Sequence, residues 1–133
     1  MIVVDSSAVI AIFRQEDDAE VSATGIAADD DPVMSAANLV ETSIFLRGLK
    51  KIAPERAERW LDDFIKAAGL RIEPVTSDQA QAARSAHLRF GKGTGHAAAL
   101  NYGDCFADAL AKAMGAPLLC KGNDFRLTDI GIA

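Results

Sequence analysis

The first residues of the chain constrain its fold more than any other segment. Ile2, Val3 and Val4 form a short, wholly apolar run that is followed directly by Asp5. Such a run is typical of a strand covered on both faces, as in a parallel sheet packed between helices. In an open α/β sheet, ligands bind in the crevice beyond the carboxyl ends of the strands. We therefore expect Asp5 to lie at a functional edge of a sheet.

The rest of the chain alternates short apolar segments with longer segments of helical periodicity. We predict further strands at 33–35, 70–73 and 117–120, and helices at about 8–13, 17–28, 54–68, 77–90 and 104–114. Ser6 or Ser7 should cap the first helix, and a long helix should run from Ser35 or Asn38 to about Lys51. Strands that alternate with helices imply a parallel sheet with helices on both faces. No linker or internal repeat divides the 133 residues, so we predict a single α/β domain over residues 1–133.

Composition excludes several functional classes. No apolar run approaches the roughly 20 residues that cross a bilayer, so we expect no membrane association. The net charge of −5 argues against binding of nucleic acid through bulk positive potential. It does not exclude an enzyme that meets phosphates through a bound metal. Cys105 and Cys120 form neither a CxxC pair nor a disulfide framework, and we interpret them as reduced core residues of a cytoplasmic protein.

Glu41 occupies an unusual position on its predicted helix. It falls on the apolar side, beside Val40, Ile44 and Phe45, which we expect to face the core. An ionised carboxylate facing a core is costly unless it is paired or coordinates a metal. The alternative is a capping box with Asn38, which would require the helix to begin there.

Three further acids lie in or beside the predicted elements near the end of the chain. Asp104 opens an apolar helix, and a structural N-cap would explain it alone. Asp108 lies one turn later, and we interpret it as half of an exposed ion pair with Lys112, with an auxiliary ligand as the alternative. Asp124 follows the last strand, where a solvated turn is the competing interpretation.

Four of these acids could together supply carboxylate oxygens as ligands to a metal ion, namely Asp5, Glu41, Asp104 and Asp124. Hard divalent cations such as Mg²⁺ and Mn²⁺ prefer oxygen ligands, whereas a set without Cys or His disfavours zinc. Bound metal can lower the pKa of a water and stabilise the entering and leaving oxygens of a phosphodiester. Without metal, four neighbouring acids should repel one another and titrate above their usual values.

At this point the pattern resembles a known family. The segments Asp5-Ser6-Ser7-Ala8, Asn101–Phe106 and Lys121–Phe125, together with Glu41 in its helix, resemble the acidic quartet of PIN domains. The likeness is closest to VapC, the toxin of bacterial VapBC toxin–antitoxin modules. It covers essentially the whole chain, including Gly91-Lys92-Gly93.

The resemblance implies a three-layer α/β/α PIN fold with a central, mainly parallel sheet. It implies an endoribonuclease toxin, dependent on Mg²⁺ or Mn²⁺, that cleaves RNA phosphodiester bonds by metal-activated water. It also implies a homodimer that a cognate VapB-type antitoxin inhibits by covering the acidic cleft. The resemblance also implies that the four acids are catalytic metal ligands, with Asp5 and Asp104 holding the metal most directly. Ser6, Ser7 and Asn123 would steady the acids or the phosphate.

Several other residues carry weaker expectations. Gly91-Lys92-Gly93-Thr94-Gly95 follows a helix and is not a Walker A sequence, but Lys92 could lie near RNA phosphate. Arg14 could contact RNA or antitoxin, and a plain surface role is equally consistent. Asp108 departs from the family pattern, because an aromatic residue is commoner there.

Two other functions compete with this interpretation. A phosphatase of the haloacid dehalogenase type also places an Asp after its first strand, but it needs a second Asp two residues later, where this chain has Ser7. A catalytically silent PIN-like domain that only binds a protein partner would be expected to have lost one of the four acids. None is lost.

Overall fold

The computed structural model describes residues 1–133 and contains one sheet of four parallel strands. The strands are β1 (Ile2–Val4), β2 (Pro32–Ser35), β3 (Arg71–Glu73) and β4 (Leu118–Leu119). Their order is β3-β2-β1-β4, so β1 pairs with β2 on one side and with β4 on the other. Because all four strands are parallel, their carboxyl ends meet at one edge of the sheet. The predicted parallel sheet is confirmed.

Six α-helices cover the two faces of the sheet. They are α1 (Ser6–Phe13), α2 (Ala19–Ala27), α3 (Ala36–Arg47), α4 (Pro54–Ala68), α5 (Ser77–Phe90) and α6 (Tyr102–Met114), and a short 3-10 helix follows at Asp124–Leu127. Ile2 and Val4 belong to the core beneath the first four helices, whereas Val3 belongs to the core beneath α5 and α6. This alternation confirms both the doubly covered first strand and the three-layer arrangement. None of the helices combines the length and the apolar character needed to span a bilayer.

Local chemistry sets several helix ends where the sequence predicts them. Pro54 occupies the first turn of α4, and Gly69 and Gly115 end α4 and α6 with φ angles of 62° and 59°. The Thr76 hydroxyl caps α5 by accepting a hydrogen bond from the Gln79 backbone N–H at 3.1 Å. These ends depend only on local turn and cap chemistry, which is why sequence reasoning finds them.

Two other helix ends differ from prediction. The first helix is capped by Asp5 rather than by a serine, because the Asp5 carboxylate accepts the Ser7 backbone N–H. The third helix ends at Arg47 rather than at about Lys51, and Gly48 is its C-cap. The first difference bears on function, because the cap residue is also the first predicted site residue.

Asp108 lies inside the domain rather than on its surface. Its carboxylate is 3.5 Å from Lys112 Nζ, and its side chain is fully buried. Lys112 also pairs with Asp129 at 2.9 Å, and Asp129 pairs with Arg89 of α5 at 2.8 Å. The predicted ion pair is confirmed, but its predicted exposure is wrong, because α5 and the segment carrying Asp129 meet α6 at this point. Burial raises the pKa of Asp108, and neither carboxylate oxygen accepts a hydrogen bond.

The two halves of this ion pair should respond differently to substitution. Asp108→Asn removes a buried charge and leaves Lys112 paired with Asp129, so we expect the free energy of unfolding at pH 8 to stay equal or rise by roughly 1 kcal/mol. Lys112→Met leaves the Asp108 charge without compensation, and we expect a loss of roughly 3–5 kcal/mol. Denaturant titration of both variants measures the difference. A larger loss in Asp108→Asn than in Lys112→Met would contradict this description.

Candidate active site

Asp5 lies at the carboxyl end of β1, and its carboxylate is held by Ser7 in the first turn of α1. Its Oδ2 accepts hydrogen bonds from the Ser7 backbone N–H at 3.0 Å and from the Ser7 hydroxyl at 2.6 Å. The Ser7 hydroxyl oxygen in turn accepts the Lys121 backbone N–H at 2.9 Å. Ser7 thus joins the segment after β1 to the segment after β4 and fixes one side of the Asp5 carboxylate.

The other side of the Asp5 carboxylate has no partner. Asp5 is only 3% exposed, and its Oδ1 is buried without a hydrogen bond. Burial raises the pKa of Asp5, the hydrogen bonds from Ser7 lower it, and the charge of Glu41 raises it again. A buried oxygen left without a partner is costly and calls for an explanation. A cation bound at Oδ1 would provide one.

Glu41 projects from α3 toward α1 and α6. The Ser6 hydroxyl lies 2.5 Å from Glu41 Oε1 and 3.2 Å from the Asn38 carbonyl oxygen, and it can donate to either. The fully buried Asn38 side chain donates to Glu41 Oε1 at 3.3 Å and to the Gly103 carbonyl at 2.9 Å. The capping-box alternative for Glu41 is wrong, because α3 begins before Asn38 with Ser35 as its cap.

Gly103 allows α6 to approach this carboxylate closely. A Cβ atom at this position would overlap the Glu41 carboxyl group. A larger residue here would displace the Glu41 carboxyl group, so the glycine serves the position of Glu41 rather than a special backbone conformation.

Asp104 is the third residue of α6 and not its N-cap. The Asn101 side-chain oxygen accepts the Asp104 backbone N–H at 2.9 Å, and Asp104 Oδ2 accepts the Asn101 backbone N–H at 2.9 Å. This reciprocal capping box starts α6 at Tyr102, two residues earlier than predicted. It also fixes one Asp104 oxygen and leaves the other available to a ligand.

The four acids share one electrostatic environment. The pKa of Asp104 is raised to about 7, chiefly by burial, and the charges of Asp5, Glu41 and Asp124 raise it further. Like charges act in this way only when they are close together. The structure therefore brings carboxylates from β1, α3, α6 and the last loop to one edge of the sheet.

Asp124 is the outermost member of this group. It is exposed and opens the 3-10 helix after β4. Asn123 precedes this helix, but its side chain does not cap it. The predicted steadying contact from Asn123 to the other acids is not formed in the structure.

The remaining candidate residues make no hydrogen bond or ion pair with the four acids. Lys92 and Arg14 are both exposed, and Arg14 Nε is 4.0 Å from Glu16. The Asp108 charge does not contribute to the raised pKa of Asp5 or Asp104. Asp108 belongs instead to the ion-pair cluster between α5 and α6.

The carboxylate oxygens of the four acids are suitable ligands for a hard divalent cation, but their side chains are not positioned to bind one. Carboxylate oxygens predominate, and the unpartnered Asp5 Oδ1 is available for coordination. As placed, no three His, Cys, Asp or Glu side chains surround a common point closely enough to hold an ion. Binding would therefore require the carboxyl groups to rotate toward a common point.

The apolar neighbours of Glu41 are not buried as predicted. Val40 and Ile44 are each 57% exposed, and Phe45 is 40% exposed. The reason is that α3 packs through Asn38, Thr42 and Leu46, whereas its Glu41 side borders an open groove. This groove is lined by Ala37, Val40, Glu41, Ile44, Phe45, Tyr102, Gly103 and Phe106.

Sequence reasoning overlooked three residues of this region. Asn38 positions Glu41, Cys120 follows β4 beside Asp5, and the charge of Arg126 acts on the Cys120 thiol. The sequence does indicate that Cys120 lies at the edge of the sheet, because it stands at the end of the last predicted strand as Asp5 stands at the end of the first. Both cysteines belong to the core as predicted: Cys105 is buried within it, and Cys120 is half-buried and packs against it at the sheet edge.

Comparison with known proteins gives a consistent result. The PIN domain family profile matches residues 2–131. Ribonuclease VapC of Mycolicibacterium smegmatis is 48% identical over 130 residues, covering 96% of this chain and 96% of the relative. Ribonuclease VapC28 of Mycobacterium tuberculosis is 46% identical over 128 residues, covering 96% of this chain and 94% of the relative.

Solved structures show the same fold at low sequence identity. The Mycobacterium tuberculosis VapC20 toxin, described as cleaving the sarcin–ricin loop, has a TM-score of 0.76 at 17% identity and covers 100% of this chain and 98% of that chain. VapBC2 from Rickettsia felis, solved with a DNA fragment from its promoter, has a TM-score of 0.74 at 19% identity with the same coverage. At such identities the likeness shows the fold alone.

The raised pKa of Asp104 predicts how stability depends on pH without metal. The folded state keeps this proton up to pH about 7, whereas the unfolded chain releases it near the ordinary value of 3.8. Stability should therefore fall as pH rises from about 4 to 7, and the penalty is complete above pH 7. Three pKa units correspond to roughly 4 kcal/mol, which partial exposure reduces to about 1–2 kcal/mol.

Asp104→Asn removes the charge and keeps an oxygen for the capping box. We expect metal-free Asp104→Asn to be more stable than the unsubstituted chain at pH 8 and equal to it near pH 4. Urea titrations in the presence of chelator measure both values. Equal stabilities at pH 8 would show that Asp104 is not destabilised by its neighbours.

Proposed function

The chain belongs to the PIN-domain family, with VapC ribonucleases as full-length relatives, and we propose that it is the endoribonuclease toxin of a type II toxin–antitoxin module. The catalytic part of this proposal rests on one observation, which is the burial and the incomplete hydrogen bonding of the Asp5 carboxylate. This carboxylate is buried at the functional edge of the sheet with one oxygen unpartnered, the charge of Glu41 acts on it, and Asp104 is affected by the charges of Asp5, Glu41 and Asp124. This combination supports a site that is completed by a cation and a phosphate rather than by the protein itself.

Mg²⁺ or Mn²⁺ is the cofactor that this donor set favours. We propose that Asp5 and Asp104 hold it most directly and that Glu41 and Asp124 complete the site. When bound, such an ion supplies a water of lowered pKa and stabilises negative charge on the phosphodiester oxygens.

The residues around the four acids orient them. The Ser7 hydroxyl holds one oxygen of Asp5 and leaves the other without a partner in the protein. Ser6 and Asn38 hold Glu41 over Gly103. Supporting contacts of this kind keep ligands in productive geometry, and their loss typically lowers metal affinity or activity by roughly 10–100-fold.

The two competing functions fare differently. The haloacid dehalogenase interpretation is wrong, because the PIN family profile covers residues 2–131 and Ser7 occupies the position where that chemistry needs an acid. A catalytically silent PIN-like domain remains the alternative to be tested. The retention of all four acids, gathered at one edge, favours an active enzyme.

We further propose that the chain is a homodimer that a VapB-type antitoxin inhibits. Related folds were solved as VapBC complexes from Rickettsia felis and Salmonella typhimurium, which supports an antitoxin partner. The homodimer is supported by the exposed apolar side chains of α3, α5 and α6, because apolar patches of this kind mark interaction surfaces. The most exposed of them are Val40, Ile44, Leu88 and Tyr102. An RNA substrate and two free cysteines fit a cytoplasmic location.

The catalytic proposal predicts strict dependence on Asp5 and on a divalent cation. Purified protein with Mg²⁺ or Mn²⁺ should cleave single-stranded or loop RNA, and excess chelator should abolish cleavage. Asp5→Asn should lose more activity than the roughly 10–100-fold typical of supporting residues. Gel analysis of a labelled RNA measures both effects.

The control variant for this experiment is Asp30→Asn. Asp30 is exposed in the turn before β2, and its substitution removes the same charge without touching the site. Cleavage that persists in chelator, or equal activity of Asp5→Asn and Asp30→Asn, would disprove the catalytic proposal. Growth arrest on expression without antitoxin separates a toxin from a housekeeping nuclease.

The homodimer proposal predicts a specific effect of Ile44→Glu. A charge placed in the apolar groove should convert a dimer into a monomer, as measured by size-exclusion chromatography with light scattering. Val21→Glu is the matched control, because Val21 is 71% exposed on α2. A monomeric unsubstituted chain, or dissociation caused equally by both variants, would contradict this assignment.

A further inference from the structure

Cys120 is the neighbour of Asp5 across the functional edge of the sheet. Val4 of β1 is in register with Leu119 of β4, so the residues that follow them, Asp5 and Cys120, stand side by side. The Asp5 backbone N–H donates to the Leu119 carbonyl at 2.9 Å and extends the strand pairing to this point. Side chains at matched positions of adjacent parallel strands project to the same face of a sheet. The thiol therefore belongs to the same cleft as the Asp5 carboxylate.

The backbone on both sides of Cys120 is fixed to the segment that carries Asp5. Leu119, which precedes it, accepts the hydrogen bond from Asp5, and Lys121, which follows it, donates to the Ser7 hydroxyl at 2.9 Å. Cys120 itself is a free, half-buried thiol. These two hydrogen bonds hold it beside Asp5.

The charges around Cys120 agree with this placement. Burial raises the pKa of the thiol to about 11, and the carboxylates of Asp5, Asp104 and Asp124 contribute to the increase, while Arg126 opposes it. The carboxylates that act on the thiol are those of the functional edge, in agreement with the place that the strand register gives Cys120.

We propose that Asp5 and Cys120 form a site for a thiophilic divalent cation, Zn²⁺ or Cd²⁺, that overlaps the proposed Mg²⁺ site and competes with it. The carboxylate supplies its unpartnered Oδ1, and the thiol supplies a soft sulfur ligand, which selects softer cations over Mg²⁺. On binding, the S–H bond breaks, the proton passes to solvent, and the sulfur forms a bond to the cation. No electron is transferred.

This site changes one conclusion drawn from the sequence. Zinc was disfavoured because the four acids include no Cys or His ligand, but the register of β1 and β4 adds a thiol to them. Because Zn²⁺ or Cd²⁺ bound between Asp5 and Cys120 would occupy the Asp5 oxygen that is proposed to hold Mg²⁺, its binding should inhibit RNA cleavage. This consequence rests on the proposed function, whereas the binding itself does not.

Cadmium titration of the metal-free, full-length chain tests the binding directly. A cadmium–thiolate bond absorbs in the ultraviolet, so we expect a band that saturates at one equivalent of Cd²⁺ and declines when excess Mn²⁺ is added. Cys120→Ser should abolish this band, and Asp5→Asn should weaken Cd²⁺ binding by about tenfold or more.

Cys105→Ser is the matched control. Cys105 is buried in α6, and its thiol donates to the Asn101 carbonyl, so its substitution should leave the band unchanged. A band that survives in Cys120→Ser, or that disappears in Cys105→Ser, would overturn the proposal, as would Cd²⁺ binding unaffected by Asp5→Asn.

RNA cleavage distinguishes failure of this site from failure of the proposed function. The Cd²⁺ concentration that halves Mn²⁺-supported cleavage should rise at least about tenfold in Cys120→Ser, relative to that variant's own uninhibited rate. Mn²⁺-supported cleavage without any cadmium band would refute the thiophilic site and leave the nuclease proposal intact. A cadmium band that requires Cys120, in a chain that cleaves no RNA with Mg²⁺ or Mn²⁺, would refute the nuclease proposal alone.

Discussion

The burial of the Asp5 carboxylate at the end of β1 is the constraint on which the functional edge depends. One of its oxygens is satisfied by Ser7, and the other has no partner within the protein. Burial raises the pKa of Asp104 to about 7, and the charges of Asp5, Glu41 and Asp124 add to the increase. An arrangement this unfavourable persists only when the rest of the fold stabilises it. We infer that bound cation and phosphate relieve it during function.

The fold produces this convergence through elements that are distant in sequence. Parallel strands bring Asp5 and the β4 loop to one edge, and α3 and α6 direct Glu41 and Asp104 toward the same edge. Hydrogen bonds from Ser6, Ser7 and Asn38 fix the carboxylates, and the missing side chain of Gly103 makes room for one of them. These uncharged residues around the acids therefore determine the geometry of the site together with the acids.

The sequence predicts those parts of the molecule that local patterns determine. The apolar run before Asp5, the proline that opens α4 and the glycine that ends it are enough to locate elements and to imply a parallel sheet. Asp5, Asp104 and Asp124 could be named because each follows or opens a predicted element, and Glu41 because it lies among the apolar residues of its predicted helix. The burial of Asp108 and the exposure of Val40 depend on which neighbours cover them, and hydrophobic periodicity contains no such information. The placement of Cys120 beside Asp5 depends on strand order and register, which become known only with the fold.

Anomalous diffraction from crystals of the full chain grown with Mn²⁺ tests the central claim most directly, because it locates the ion without any assumption about activity. The structure predicts one or two manganese peaks within coordination distance of Asp5 Oδ1 and of an Asp104 oxygen, with Glu41 and Asp124 turned toward them. Manganese bound only at surface acids such as the Asp29–Asp31 turn, with Asp5 Oδ1 still unpartnered, would contradict the claim that these carboxylates form one metal site.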